Sequence, residues 1–229
     1  MDEQWWEDFA EVCGIHAGDG WMSSYNYEVG FGTALTEKEY FHNVCALYQR
    51  VFHYGHHRII ARPKGNIIEL RIPSKEIQHL LMGSGFVRGP KLDALSVPAF
   101  VWVSEERMQR FVRGLFDTDG TATWIKPIRR YHLRLSISTS SISFSGEIVA
   151  LLRELGFSPT IHRWRGSDTK QGNARRTVTC IALAKDENVC RYLEDIGSSN
   201  PTKLAHALKR PEEQEEVDPP GFEPGTSTV

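Results

Sequence analysis

One segment of this sequence occurs twice, and the duplication constrains the fold more than any other feature. Phe111-Val-Arg-Gly-Leu-Phe-Asp-Thr-Asp-Gly120 has a degenerate copy in Phe9-Ala-Glu-Val-Cys-Gly-Ile-His-Ala-Gly-Asp-Gly20. Superposing them pairs Gly14 with Gly114, Ile15 with Leu115, Asp19 with Asp119 and Gly20 with Gly120, at a constant offset of 100 residues. That period is far longer than those of solenoid repeats. The chain therefore reads as two copies of one half-domain.

Both copies read as helices that end in an acidic turn. A glycine inside a helix costs about 1 kcal/mol against alanine, so Gly14 and Gly114 need a reason. Close approach of two helix backbones supplies one. The final Asp-Gly of each copy suggests a left-handed cap at Gly20 and Gly120. Asp19 and Asp119 then stand at the negative ends of two helix dipoles, where a carboxylate is disfavoured. If the helices pack in parallel, two like charges meet at two like dipole ends. A divalent cation with oxygen ligands resolves that conflict.

These paired segments resemble the motifs of the LAGLIDADG homing endonucleases, in the monomeric, two-motif form encoded within introns. The second copy matches closely from Val112 to Gly120, and the first runs from Val12 to Gly20. In the first, His16 and Ala17 stand where the family carries an apolar residue and an acid. The resemblance implies an α+β fold: a tandem pseudo-twofold repeat of αββαββα. Two antiparallel sheets would form a DNA-binding saddle, with the motif helices packed at the centre. It also implies site-specific, Mg²⁺-dependent cleavage of both strands of a long DNA site by a monomer, promoting homing of its own intron. Asp19 and Asp119 would be catalytic acids and Mg²⁺ ligands, with the carbonyls of Gly18 and Thr118 completing the shells. Lys91 and Lys203 resemble the family's pocket lysines. Asp117 reads as structural. An RNA maturase or a DNA-binding regulator on the same scaffold is the alternative. An intein-borne nuclease fits poorly, because the chain has no Cys or Ser start and no terminal His-Asn.

The net charge of −2 appears wrong for a DNA-binding protein. Six acids lie in the tail after Arg210 and four more in the first eight residues, and without these ten the body carries +8. Between Thr121 and Arg176 there are ten bases, Arg129 and Arg130 among them, against three acids. Such an excess suits a phosphate-facing surface. No apolar run reaches membrane-spanning length and no basic-then-apolar leader opens the chain, which suits a cytosol-like compartment or an organellar matrix. The four cysteines lack metal-binding spacing and read as reduced thiols.

Taken in order, the chain reads helix, two strands, helix, two strands, helix, and then repeats. Expected boundaries are 1–98 for the first half with its crossover linker, 99–210 for the second, and 211–229 for an acidic, disordered tail. Thr36-Glu-Lys-Glu39 reads as a capping box. A helix is expected from Gly146 to Leu155 and another opening at Asn200. Strands alternate apolar with polar residues, which gives each sheet one face for helices and one for DNA. Arg58, Arg62, Arg71, Arg134, Ser136, Ser138, Arg163 and Arg165 are candidate groove-facing residues. Lys64, Lys170, Arg175 and Arg176 lie in hairpin loops and suit backbone phosphates.

Overall fold

A computed structural model describes residues 2–91, 94–126, 131–165 and 177–211. Helix α1 (Glu3–Gly18) opens at Asp2, whose carboxylate accepts from the Trp5 amide, and helix α4 (Glu105–Asp119) opens at Ser104, which accepts from Arg107. Each is followed directly by a strand, β1 (Gly20–Met22) and β5 (Gly120–Ile125). The first half continues through β2 (Glu28–Ala34), α2 (Lys38–Phe52), β3 (Arg58–Arg62), β4 (Ile67–Pro73) and α3 (Lys75–Gly83). The second continues through β6 (His132–Thr139), α5 (Ile142–Glu154), β7 (Thr160–Arg165), β8 (Thr177–Leu183), α6 (Asp186–Asp195) and α7 (Pro201–Leu208).

Each half builds one antiparallel four-stranded sheet, in the orders β1-β2-β4-β3 and β5-β6-β8-β7. Pairing Phe31 with Leu70 and Val29 with Ile72 puts alternate residues on a buried face. In the second sheet, Leu135 opposite Leu183 and Ile137 opposite Ile181 do the same. Helices α2 and α3 cover the first sheet, and α5 and α6 the second. Among the described residues, no helix packs on the opposite faces. One continuous apolar core joins both halves.

The halves are fused through α1 and α4, which run side by side in parallel. A Cβ built on Gly14 would stand 2.1 Å from the Phe111 carbonyl oxygen, and one on Gly114 would stand 2.3 Å from that of Glu11. Backbone therefore meets backbone, as the mid-helix glycines suggest. Glu11, buried at this seam, accepts from Arg110 and Arg113 of α4, and Glu3 binds Arg107. Asp8 binds Arg50. The acids of the first eight residues are thus largely committed to intramolecular pairs. Treating them as uncommitted charge overstated what the body offers to DNA.

Three local expectations are corrected. Thr36 does not cap α2: residues Leu35–Glu37 form a 3₁₀ turn, and the carboxylate of Glu37 turns to Thr33 and Asn200. Helix α5 starts four residues before Gly146, because Ser141 supplies the cap by accepting from Phe144. Gly20 and Gly120 are not left-handed, and Gly120 is extended at φ −83°. They are required by space: a Cβ would lie 2.4 Å from His16 Cα at Gly20 and 2.3 Å from the Phe116 carbonyl at Gly120. Arg129, Arg130, Lys170, Arg175, Arg176 and the tail from Glu212 lie outside the described residues.

Candidate active site and nucleic-acid interface

The parallel packing of α1 and α4 carries Asp19 and Asp119 to the same end of the helix pair, at the junction of the two sheets. A Cβ on Gly18 would lie 3.4 Å from the Asp119 carboxyl carbon and would collide with Thr118 Oγ1. The two acids feel each other. The Asp119 carboxyl is raised to about 6, first by burial in the crevice and then by the charge of Asp19, while Lys91 and Lys203 oppose the lift. Asp19 is also raised by burial, against Lys203 and Lys91. Both residues keep solvent-exposed edges, so water moderates these effects.

The lysines cap the two helix ends in parallel fashion. Lys91 Nζ donates to the carbonyls of His16 (2.7 Å), Gly18 and Gly20 (2.6 Å). Lys203 Nζ donates to those of Phe116 and Thr118, both at 2.8 Å. Positive charge at a helix C-terminus offsets the dipole, and each ammonium also faces the carboxylates. Burial draws Lys91 down to about 8 and lowers Lys203, while the nearby aspartates partly restore both.

The halves hold their lysines differently. In the second half, Asn200 is fully buried and caps α7 by accepting from the Thr202 and Lys203 amides. Its amide donates to Glu37 of the other half at 3.0 Å and to the Asp117 carbonyl. The buried Asp117 carboxylate accepts from Ser198 and from the Ser199 amide. In the first half, the buried Ala17 stands at the position that matches Asp117, so that carboxylate and its hydrogen bonds have no counterpart there. There the neutral His16, held by burial down to about 3, packs edge-on against Phe86 at 4.9 Å. Arg88 anchors the loop carrying Lys91 through the carbonyls of Ser23 and Ser24.

Among the described residues, no group of three or more His, Cys, Asp or Glu side chains gathers to hold a metal. Two carboxylates are nevertheless a donor set that suits Mg²⁺, which keeps several waters and shares its shell with substrate phosphates. The carbonyls of Gly18 and Thr118 already accept from lysines, and each retains a second lone pair. The chemistry of the site fits the ion.

The helix-free faces carry polar and charged side chains. On the first sheet Arg71 is paired opposite Arg58, and Arg62 opposite Ile67, all alternating with core positions. Lys64 is exposed in the 3₁₀ turn between β3 and β4. On the second sheet Arg134, Ser136 and Ser138 lie opposite Thr123, Thr121 and Cys180. Arg163 requires correction: it pairs with the buried Thr179, two residues from the pair that Ile161 makes with the buried Ile181, so the register puts it on the helix side of β7. In the backbone register Arg165 stands opposite Thr177. His162 and Trp164 take the open-face positions instead. Charge alone does not place a basic residue on the groove face; the pairing register decides it. Sequence reasoning also missed Glu37, hidden inside the supposed capping box, and the bridging role of Asn200, which read only as a helix start.

Residues 106–197 match the family model described as a LAGLIDADG-like domain. The homing endonuclease I-DmoI, solved with DNA and Ca, is 17% identical with a TM-score of 0.59, covering 89% of this chain and 97% of that one. Structures of I-DmoI with target DNA and Mg or Mn are similarly related. The N-terminal LAGLIDADG domain of DUF199/WhiA is 16% identical with a TM-score of 0.55, covering 84% of this chain and 83% of that one. I-WcaI bound to its DNA recognition sequence is 12% identical with a TM-score of 0.55, covering 87% and 86%. At such identities the likeness is one of fold. No curated protein sequence matches this chain.

Proposed function

We propose that this two-motif LAGLIDADG protein is a site-specific DNA endonuclease that cuts both strands of a long duplex site. The observation that carries the reading is the pair of aspartates at abutting helix ends, each accompanied by a lysine bound to the adjacent terminal carbonyls. A protein that only bound DNA would gain nothing from two mutually repelling acids at its centre. One chain supplies both half-sites, so it acts as a monomer.

The open sheet faces would lie in the major groove, with the helix ends over the scissile phosphates. Asp19 and Asp119 would hold Mg²⁺, which when bound supplies an activated water and neutralises charge on the phosphate. Lys91 and Lys203 hold the helix-end carbonyls in place and present an ammonium toward charge that develops during cleavage. One aspartate for each strand makes a double-strand break depend on both. Homing of a host intron, with residence in a cytosol-like compartment, is the biological setting this reading implies.

A second reading, a DNA- or RNA-binding protein on the same scaffold, draws on the likeness to the WhiA domain. Incubation with Mg²⁺ and a duplex made by joining the sequences that flank the reading frame separates the two. Cleavage of both strands supports the nuclease; tight binding with intact strands supports the second reading.

A further inference from the structure

The first sheet presents a lattice of alternating charge on its open face. Glu28 bonds Arg58 and lies 3.8 Å from Arg71. Glu69 accepts from Arg71 at 2.8 Å and from Arg62 at 3.2 Å. Arg71 belongs to β4, an interior strand, and its guanidinium lies over the Trp21 ring at 5.3 Å. Gly30 makes this possible, since a Cβ there would stand 2.8 Å from the indole. Arg71 is therefore held between two carboxylates and an aromatic ring.

Carboxylates on a surface that served only to hold phosphates would oppose binding. Here they flank a donor fork. The major-groove edge of a G·C pair shows two acceptors on guanine, N7 and O6, followed by a donor on cytosine, N4. Arginine matches the first two bidentately and glutamate matches the third. The open face of the second sheet has one described arginine on its strands, Arg134, among hydroxyls, apolar residues and the histidines His132 and His162. The acid on that side, Asp186, pairs with His132, and among the described residues no ion pair holds Arg134.

We infer that Arg71, with Glu69 and Glu28, is the specificity-determining element of the first half, reading a G·C pair in one half-site that has no counterpart in the other. The inference rests on the DNA-binding reading above. It requires only that the sheet enter the groove, whether or not the strands are cut.

The test is selection of bound duplexes from a randomised library by the full chain in Ca²⁺ buffer, followed by the same selection with Arg71→Gln. Glutamine pairs with adenine N6 and N7. The parent is expected to select a fixed G·C pair in one half-site. Arg71→Gln should move that position alone toward A·T and weaken binding to the parental sequence roughly 5- to 150-fold. Glu69→Gln should relax the same position, and melting curves with unchanged preferences elsewhere show that both variants fold. A uniform loss across all sequences, or no change at any position, would make Arg71 a phosphate contact and overturn the inference while leaving DNA binding intact. No enriched duplex at all would overturn both readings.

Discussion

Replacing Asp119 by asparagine is expected to make the metal-free protein more stable. The carboxyl is lifted from an ordinary 3.8 to about 6 by burial and by Asp19. Undiminished, such a shift corresponds to about 3 kcal/mol at 1.36 kcal/mol per pH unit. Water reaches the exposed edge of Asp119, so screening reduces this to about 1 kcal/mol. The sign follows from linkage: the folded state holds the proton more tightly, so ionisation costs stability. That cost is absent below about pH 4, grows toward pH 6, and is complete above it. In chelator-treated buffer at pH 7.5, Asp119→Asn should melt about 2–4 °C above the parent. At pH 4 the two should coincide. Added Mg²⁺ should narrow the gap by stabilising the parent alone. A variant that melts at or below the parent at pH 7.5, or a gap that ignores pH, would refute the account of two acids forced together.

Other consequences follow from the same geometry. Gly114→Ala would place a methyl 2.3 Å from a backbone oxygen of α1, which cannot rotate away. A loss of about 1–3 kcal/mol in a denaturation curve is expected, and a gain from helix propensity would contradict the packing. Lys203→Met should orphan the Phe116 and Thr118 carbonyls, costing about 1–3 kcal/mol, and slow single-turnover cleavage by about 10²-fold with DNA affinity little changed. Unchanged cleavage would restrict the lysine to a structural role. Removal of residues 211–229 takes away six acids and no base. Cleavage should persist and binding should hold or tighten at low salt, as titrations at two ionic strengths would show.

Much of the architecture was legible because local signals agreed. Gly14 and Gly114 announced a backbone-to-backbone contact, and Ile68, Leu70 and Ile72 announced a two-faced strand. The Asp-Gly pairs marked the helix ends but suggested the wrong reason for glycine, since a collision one turn back is invisible in sequence. Face assignment failed at Arg163 because β7 is an edge strand whose apolar residues, Ile161 and Trp164, are both exposed and sit on opposite faces, so its own sequence sets no phase. Glu37 and Asn200 were opaque for a different reason. They are 163 positions apart and meet only when the halves close, and nothing in either local sequence encodes that bond.

The most direct test of the central claim is strand-resolved cleavage of an end-labelled duplex by the parent, Asp19→Asn, Asp119→Asn and the double variant, with DNA affinity measured in parallel. The parent is expected to cut both strands in Mg²⁺. Each single variant should lose cleavage of at least one strand, and the double variant should cut neither, all with near-parental affinity. Two-strand cutting by the double variant would show that the paired carboxylates are not the catalytic centre.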